Sequence, residues 1–156
     1  MDMIANIVGL SVSAQGGVPK SPVEKLTILT NGCIGDKQND LKHHGGPERA
    51  VCIFQENIIE QLRSDGHPIY PGSTGENILL AGTSIGDLEP GTILRFENVE
   101  LEITTSAPPC KTISSSFNDG EFSLISNKKY PSFTRWYAKV RSEGEVKLGE
   151  NISIIN

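Results

Sequence analysis

Six short runs alternating apolar and polar residues recur along the chain: ANIVGLSVS, VEKLTILT, RAVCIF, ENILLAG, GTILRFENVELEIT and ENISIIN. Gly, Pro, Asn and Asp bound them. A period of two with β-branched residues puts one side of an extended chain against a core and the other toward solvent, which is the pattern of strands. In TILRFENVELEIT, Glu97 and Asn98 read as a two-residue turn between Ile93, Leu94 and Phe96 on one side and Val99, Leu101 and Ile103 on the other, a β-hairpin. So many strands in 156 residues leave exposed edges unless the sheet closes on itself. The expected fold is therefore mainly β, an antiparallel β-barrel with one or two short helices. Its length suits a single domain over residues 1–156.

QENIIEQLRSDG is the clear helix, with Ile58, Ile59 and Leu62 on one face and Gly66 then Pro68 as its stop. SFTRWYAKVRSEG fits a second short helix, with Phe133, Trp136, Tyr137 and Val140 on one face, though its aromatic content also suits a strand. GENI occurs at residues 75–78 and again at 149–152, each time ahead of an apolar run, as expected of a glycine-led turn that opens a strand.

Net charge is −5, and nucleic-acid binding draws on a broad basic surface, so that class of partner is not expected and any anion site must be local. MIANIVGL is too short to span a membrane and lacks the basic start and cleavage site of a secretory signal. The expected location is the cytoplasm. Cys33, Cys52 and Cys110 match neither a CxxC pair nor zinc spacing, and an odd number of cysteines in a reducing compartment points to free thiols.

Three stretches carry chemistry. GCIGDKQNDLKHHGGPERAV gathers Asp36, Asp40, His43, His44, Gly45, Gly46 and Arg49 ahead of a strand. Its glycines permit a turn whose N–H groups line an anion site, and Arg49 offers a planar fork for phosphate or carboxylate. A plain tight turn with solvated histidines accounts for the stretch as well. Adjacent His43 and His44 point to opposite sides of an extended chain, which disfavours a shared zinc ion. In YPGSTGENILLAG, Glu76 and Asn77 stand at a strand entrance, where they either orient a ligand or clamp a loop, and clamping is the simpler reading.

LEITTSAPPCKTI ends a strand at two prolines and holds Cys110 on a constrained loop, because neither proline can donate to a ladder. Lys111 adds a positive charge beside it, and the thiolate is the form that binds soft metals or carries sulfur. Cys52, inside RAVCIF, reads as a buried inert thiol, while Cys33 stays open. A cysteine hydrolase with His43 or His44 as base is a third possibility for Cys110.

In order, GDKQNDLKHHGGPERAV, PGSTGENI, Gly86 and Asp87, PGTILRFENVELEIT and PPC resemble the MOSC domain, the family named after the C-terminal domain of molybdenum-cofactor sulfurase. The resemblance implies a β-barrel that holds the molybdenum cofactor, with Cys110 as molybdenum ligand or sulfur carrier. It implies a cleft lined by Asp36, Asp40, His44, Gly45, Gly46 and Arg49, with Gly75, Glu76 and Asn77 facing them and Lys111 adding charge. Some members reduce N-hydroxylated compounds with electrons from partner proteins. A molybdenum-dependent reductase is thus one expected function, and a non-catalytic sulfur carrier or cofactor-delivery module using a Cys110 persulfide is the other. TSAPPC lacks the arginine that related stand-alone proteins often carry just before the cysteine, and no ferredoxin-like cysteine set is present. Any redox chemistry therefore needs an external electron donor or a delivery protein as partner.

Overall fold

In the computed structural model, which describes residues 3–37 and 46–156, the first run becomes β1 (Met3–Val12), burying Ala5, Ile7 and Leu10 and leaving Ile4 exposed. Next come β2 (Ser21–Pro22), β3 (Lys25–Leu29), β4 (Gly32–Cys33), β5 (Val51–Gln55), the helix α1 (Glu56–Ser64) and β6 (Ile78–Ala81). The hairpin follows as β7 (Ile93–Arg95) and β8 (Glu100–Ala107), then β9 (Arg135–Ser142), β10 (Gly144–Lys147) and β11 (Asn151–Ile155).

Strands β11, β7, β8, β9, β5, β6 and β1 pair in that order, and β1 pairs back onto β11 from Met3↔Ile154 to Asn6↔Asn151. The seven-stranded sheet is thereby closed, with Ile7, Leu10, Val51, Ile53, Leu80 and Leu101 among the residues filling its interior. The hairpin turns at Glu97 and Asn98 as the sequence predicts, with Phe96 N–H donating to Val99 O at 2.8 Å.

One pairing departs from the antiparallel expectation. β5 and β6 run parallel, with Ile53 opposite Ile78, and α1 is the crossover between them, since parallel neighbours cannot be joined by a tight turn. α1 buries Ile58, Ile59 and Leu62, the residues its periodicity selects, against Phe54 of β5 and Leu79 of β6. The 3-10 segments Lys111–Ser116 and Phe122–Ile125 add Ile113 and Ile125 to this second apolar cluster, outside the barrel.

The helix expected over residues 132–144 is a strand instead. β9 pairs with both β5 and β8 and is buried on both faces, Trp136 and Ala138 toward the barrel interior and Tyr137 against Cys52 and Ala107 outside. A strand covered on both sides reads as a continuous apolar run, so alternation could not separate it from a helix. Both GENI copies open strands: Gly75 and Gly149 have φ near +89° and +88° immediately before β6 and β11. Among the described residues no helix is long and apolar enough to cross a membrane.

Candidate functional site

β8 and β9 run side by side to the pair Ala107↔Arg135, and there β8 stops, because Pro108 and Pro109 supply no N–H to continue the ladder. The chain turns into the 3-10 segment Lys111–Ser116, leaving Cys110 exposed in extended backbone with Sγ 2.8 Å from Thr112 Oγ1. That sulfur lies in the wall of a cleft of about 270 Å³. Its opposite side is formed by Thr74, Gly75 and Asn77 ahead of β6, and by Gly17, Val18 and Lys20 between β1 and β2.

Asn77 is the joint of the opposite wall. Its Nδ2 donates to Ser11 O at 3.2 Å and to Asp36 Oδ2 at 2.8 Å, and its Oδ1 accepts from Cys52 N–H at 3.0 Å. The backbone of Asn77 also donates to Cys52 O and accepts from Ser11 N–H, so one residue ties β6 to β5 and β1. Asp36 accepts in addition from Ser13 N–H at 2.8 Å and forms an ion pair with Lys20 Nζ at 2.7 Å, both side chains nearly buried. Asp36 thus stands behind the cleft and fixes Lys20 in its wall. Glu76 is buried and is not among the lining residues: its carboxylate accepts from Gly72 N–H at 2.7 Å and from Thr74 Oγ1–H at 3.0 Å. Burial pushes its pKa up, against the pull of those hydrogen bonds and of Arg135. Its role is the loop clamp.

Sequence reasoning missed Lys20 and Lys37 of the lining and, most of all, Arg135. It is 6% exposed, lines the cleft, and donates through Nη1 to Thr74 O at 2.6 Å and through Nη2 to Ala107 O at 3.4 Å and Pro108 O at 3.3 Å. It therefore braces the turn before Cys110 against the opposite wall. Its Nε is buried with no hydrogen-bond partner among the described residues. The available signal was a charge inside the buried aromatic run FTRWYA, since arginine is seldom fully buried without a paired carboxylate.

Lys37 and Arg49 complete the positive lining, and no Asp or Glu is among the described lining residues. The Arg49 guanidinium carbon lies 5.7 Å from the centroid of the Tyr137 ring, and burial raises the Tyr137 phenol, keeping it protonated. Cys52 also touches the cleft, but burial pushes its thiol up to about 11. Cys33, paired opposite Ile28 in the small second sheet of β10, β3 and β4, is pushed up to about 12 by burial first and by Asp36 second. Both remain neutral thiols at physiological pH.

Of the residues predicted for the site, Cys110, Arg49, Gly75 and Asn77 line the cleft, with Asp36 directly behind Asn77. Gly46 and Lys111 are exposed and are not among its lining residues. Asp40, His44 and Gly45, together with Lys42 and His43, lie outside the described residues. His67 has a structural place, its Nδ1 accepting from Asn118 N–H and its ring edge-on to Phe117. Among the described residues no three His, Cys, Asp or Glu side chains gather into a metal-binding group.

The sequence is similar to the protein YflK of Bacillus subtilis, 26% identical over 144 residues, and to YiiM of Escherichia coli, 22% identical over 144 residues. These matches take in 90% and 89% of this chain but only 63% of either relative, so the chain spans less than two thirds of their length. The fold is similar to the crystal structure of YuaD from Bacillus subtilis, with a TM-score of 0.77 at 18% identity, covering 99% of this chain and 97% of that one. YiiM from Geobacillus stearothermophilus gives 0.75 at 18% identity, covering 97% and 75%. The sequence model of the MOSC domain matches residues 40–153, most of the barrel and the whole turn that carries Cys110. The chain belongs to the MOSC domain family.

Proposed function

We propose that the cleft binds the molybdenum cofactor with Cys110 as metal ligand, and that the protein reduces N-hydroxylated compounds with electrons from an external donor in the cytoplasm. One observation carries this reading: an exposed thiol shares a cleft of about 270 Å³ with Lys20, Lys37, Arg49 and Arg135, on a protein whose net charge is −5. The residues suit the group. A soft metal calls for a thiolate, and an anionic phosphorylated pterin calls for fixed positive charge and unspent donors, of which the Arg135 Nε is one. Lys37 and Arg49, on the more exposed part of the lining, suit the phosphate. When bound, the cofactor supplies two-electron oxygen-atom chemistry. Arg135 and the two prolines hold the thiol of Cys110 in place, while the Asn77, Asp36 and Lys20 network fixes the facing wall.

The exposed position of Cys110 also suits a persulfide handed to a second protein, so a carrier or cofactor-delivery role is the competing reading. Purification from a molybdenum-replete host without oxygen separates them. About one molybdenum and one pterin per chain, lost in Cys110→Ser, together with turnover of a hydroxylamine-type substrate given a competent reductant, supports the reductase. Retained cofactor without turnover supports the carrier. If the unaltered protein takes up no cofactor and Cys110→Ser behaves identically in every assay, both readings fail.

A further inference from the structure

The cofactor reading counts the Arg135 Nε among its unspent donors but does not explain why this charge is buried among carbonyls. The Arg135 guanidinium is nine-tenths buried, yet its partners Thr74 O, Ala107 O and Pro108 O are all carbonyls, which satisfy N–H groups without cancelling a charge. A guanidinium has five N–H donors, and the Nε–H has no acceptor among the described residues. Lys20, by contrast, is already matched by Asp36 at 2.7 Å. The buried carboxylate of Glu76 feels the Arg135 charge, but its oxygens accept from Gly72 N–H and Thr74 Oγ1–H and no ion pair joins the two. Keeping a desolvated cation with a spare donor costs stability unless something negative completes it. Two of the carbonyls that hold it belong to Ala107 and Pro108, the residues leading directly into Cys110.

We propose that Arg135 forms an oxyanion subsite in the wall of the cleft, so that the small molecule meeting Cys110 carries a carboxylate, a phosphate or a sulfur oxyanion. The inference goes beyond the cofactor reading and stands on the geometry of the chain alone. Planar donors at a fixed place select a group with two or more oxygens, and the apolar flank made by Val18, Pro108 and Ile113 accepts the rest of the molecule.

The test uses the full chain made in a host that lacks the cofactor, and reads alkylation of Cys110 by peptide mass spectrometry. Iodoacetate carries a carboxylate and iodoacetamide does not. The ratio of their rate constants at Cys110 should exceed that of glutathione on the order of tenfold, the effect of one nearby incompletely screened charge. Inorganic phosphate should slow the iodoacetate reaction more than sodium chloride of equal ionic strength. Arg135→Gln should return the ratio to that of glutathione and abolish phosphate protection, while Arg135→Lys keeps most of the preference. If the unaltered protein shows no more preference for iodoacetate than glutathione does, or no phosphate protection, the subsite does not exist. Equal loss of preference in folded Lys and Gln variants would also overturn it, because Arg135 would then act only by bracing the turn. Should Arg135→Gln fail to fold, the absence of either effect in the unaltered protein still overturns the proposal. Metal and pterin content play no part, so rejection of the cofactor reading leaves this outcome legible, and the reverse holds.

Discussion

Replacing Asn77 by alanine probes the joint on which the cleft wall depends. The substitution removes three side-chain hydrogen bonds, to Ser11 O, from Cys52 N–H and to Asp36 Oδ2, and Asn77 is 1% exposed, so water cannot readily replace them. The two neutral bonds are worth about 1 kcal/mol each and the bond to the ionised Asp36 about 2 kcal/mol, which sums to about 4 kcal/mol. That is a large part of the 5–15 kcal/mol typical of whole domains, and it corresponds to a fall in Tm of about 8–16 °C at this chain length. The measurement is urea unfolding followed by far-UV circular dichroism at neutral pH, with the m-value compared between the two proteins. A loss below about 1 kcal/mol at unchanged m would refute the assignment of Asn77 as a stabilising joint, since orphaning a buried Cys52 N–H alone should cost that much.

Glu76→Gln should flatten the pH dependence of stability. Burial raises the native pKa above its ordinary 4.5, so the native state holds more protons than the unfolded state between the two values; stability falls as pH rises through that window, and equilibrium unfolding from pH 4 upward should show the slope shrink in the variant. Gly72→Ala should destabilise by about 2–4 kcal/mol in thermal or urea unfolding, because φ is +87° and the new Cβ would meet Lys20 O at 2.6 Å. Arg141→Ala, which removes contacts of 3.2 and 3.4 Å to Glu100 and Glu102 on the outer surface, should cost less than about 1 kcal/mol, an effect that fades in 1 M salt. A thiol assay with a disulfide reagent at pH 8 should count one accessible cysteine in the native protein and three after denaturation, given exposed Cys110 and buried Cys33 and Cys52.

What could be read from the chain follows from the range of the interactions involved. Strands β1, β3, β5, β6, β7, β8 and β11 announce themselves because burial on one face or a short apolar run leaves a local trace, and so do Ile58, Ile59 and Leu62 on α1. The proline pair ahead of Cys110 is equally local, since the imino acids end a strand wherever they stand. β9 was ambiguous because its environment is set by β5 on one side and β8 on the other, partners about 80 and 30 residues away that periodicity cannot see. β2 and β4, two residues each, are too short to carry a pattern. Asp36 and Asn77 were identifiable as polar residues at turns, but their joint role depends on a contact across 41 positions. Gly46 and Lys111 illustrate the opposite error: closeness in sequence to Arg49 and Cys110 did not bring either into the lining of the cleft.

The same distinction explains where the positive charge of the cleft comes from. Lys20 follows β1, Arg49 precedes β5, and Arg135 begins β9, so three cations far apart in sequence meet only because the barrel closes and brings these strand ends to one side. None of them forms a basic cluster in the sequence, and their sum is hidden beneath a net charge of −5. A field of this kind is local by construction: acidic surface elsewhere repels polyanions, while a small anion that enters the cleft meets Lys37, Arg49 and Arg135 with no carboxylate in the described lining. Binding of such an anion should therefore weaken with ionic strength less steeply than binding to exposed lysines would, because the 6% exposure of Arg135 shields its charge from counterions. Titrating phosphate protection of Cys110 from low to physiological salt measures that slope, and a steep decline would assign the attraction to the exposed cations alone.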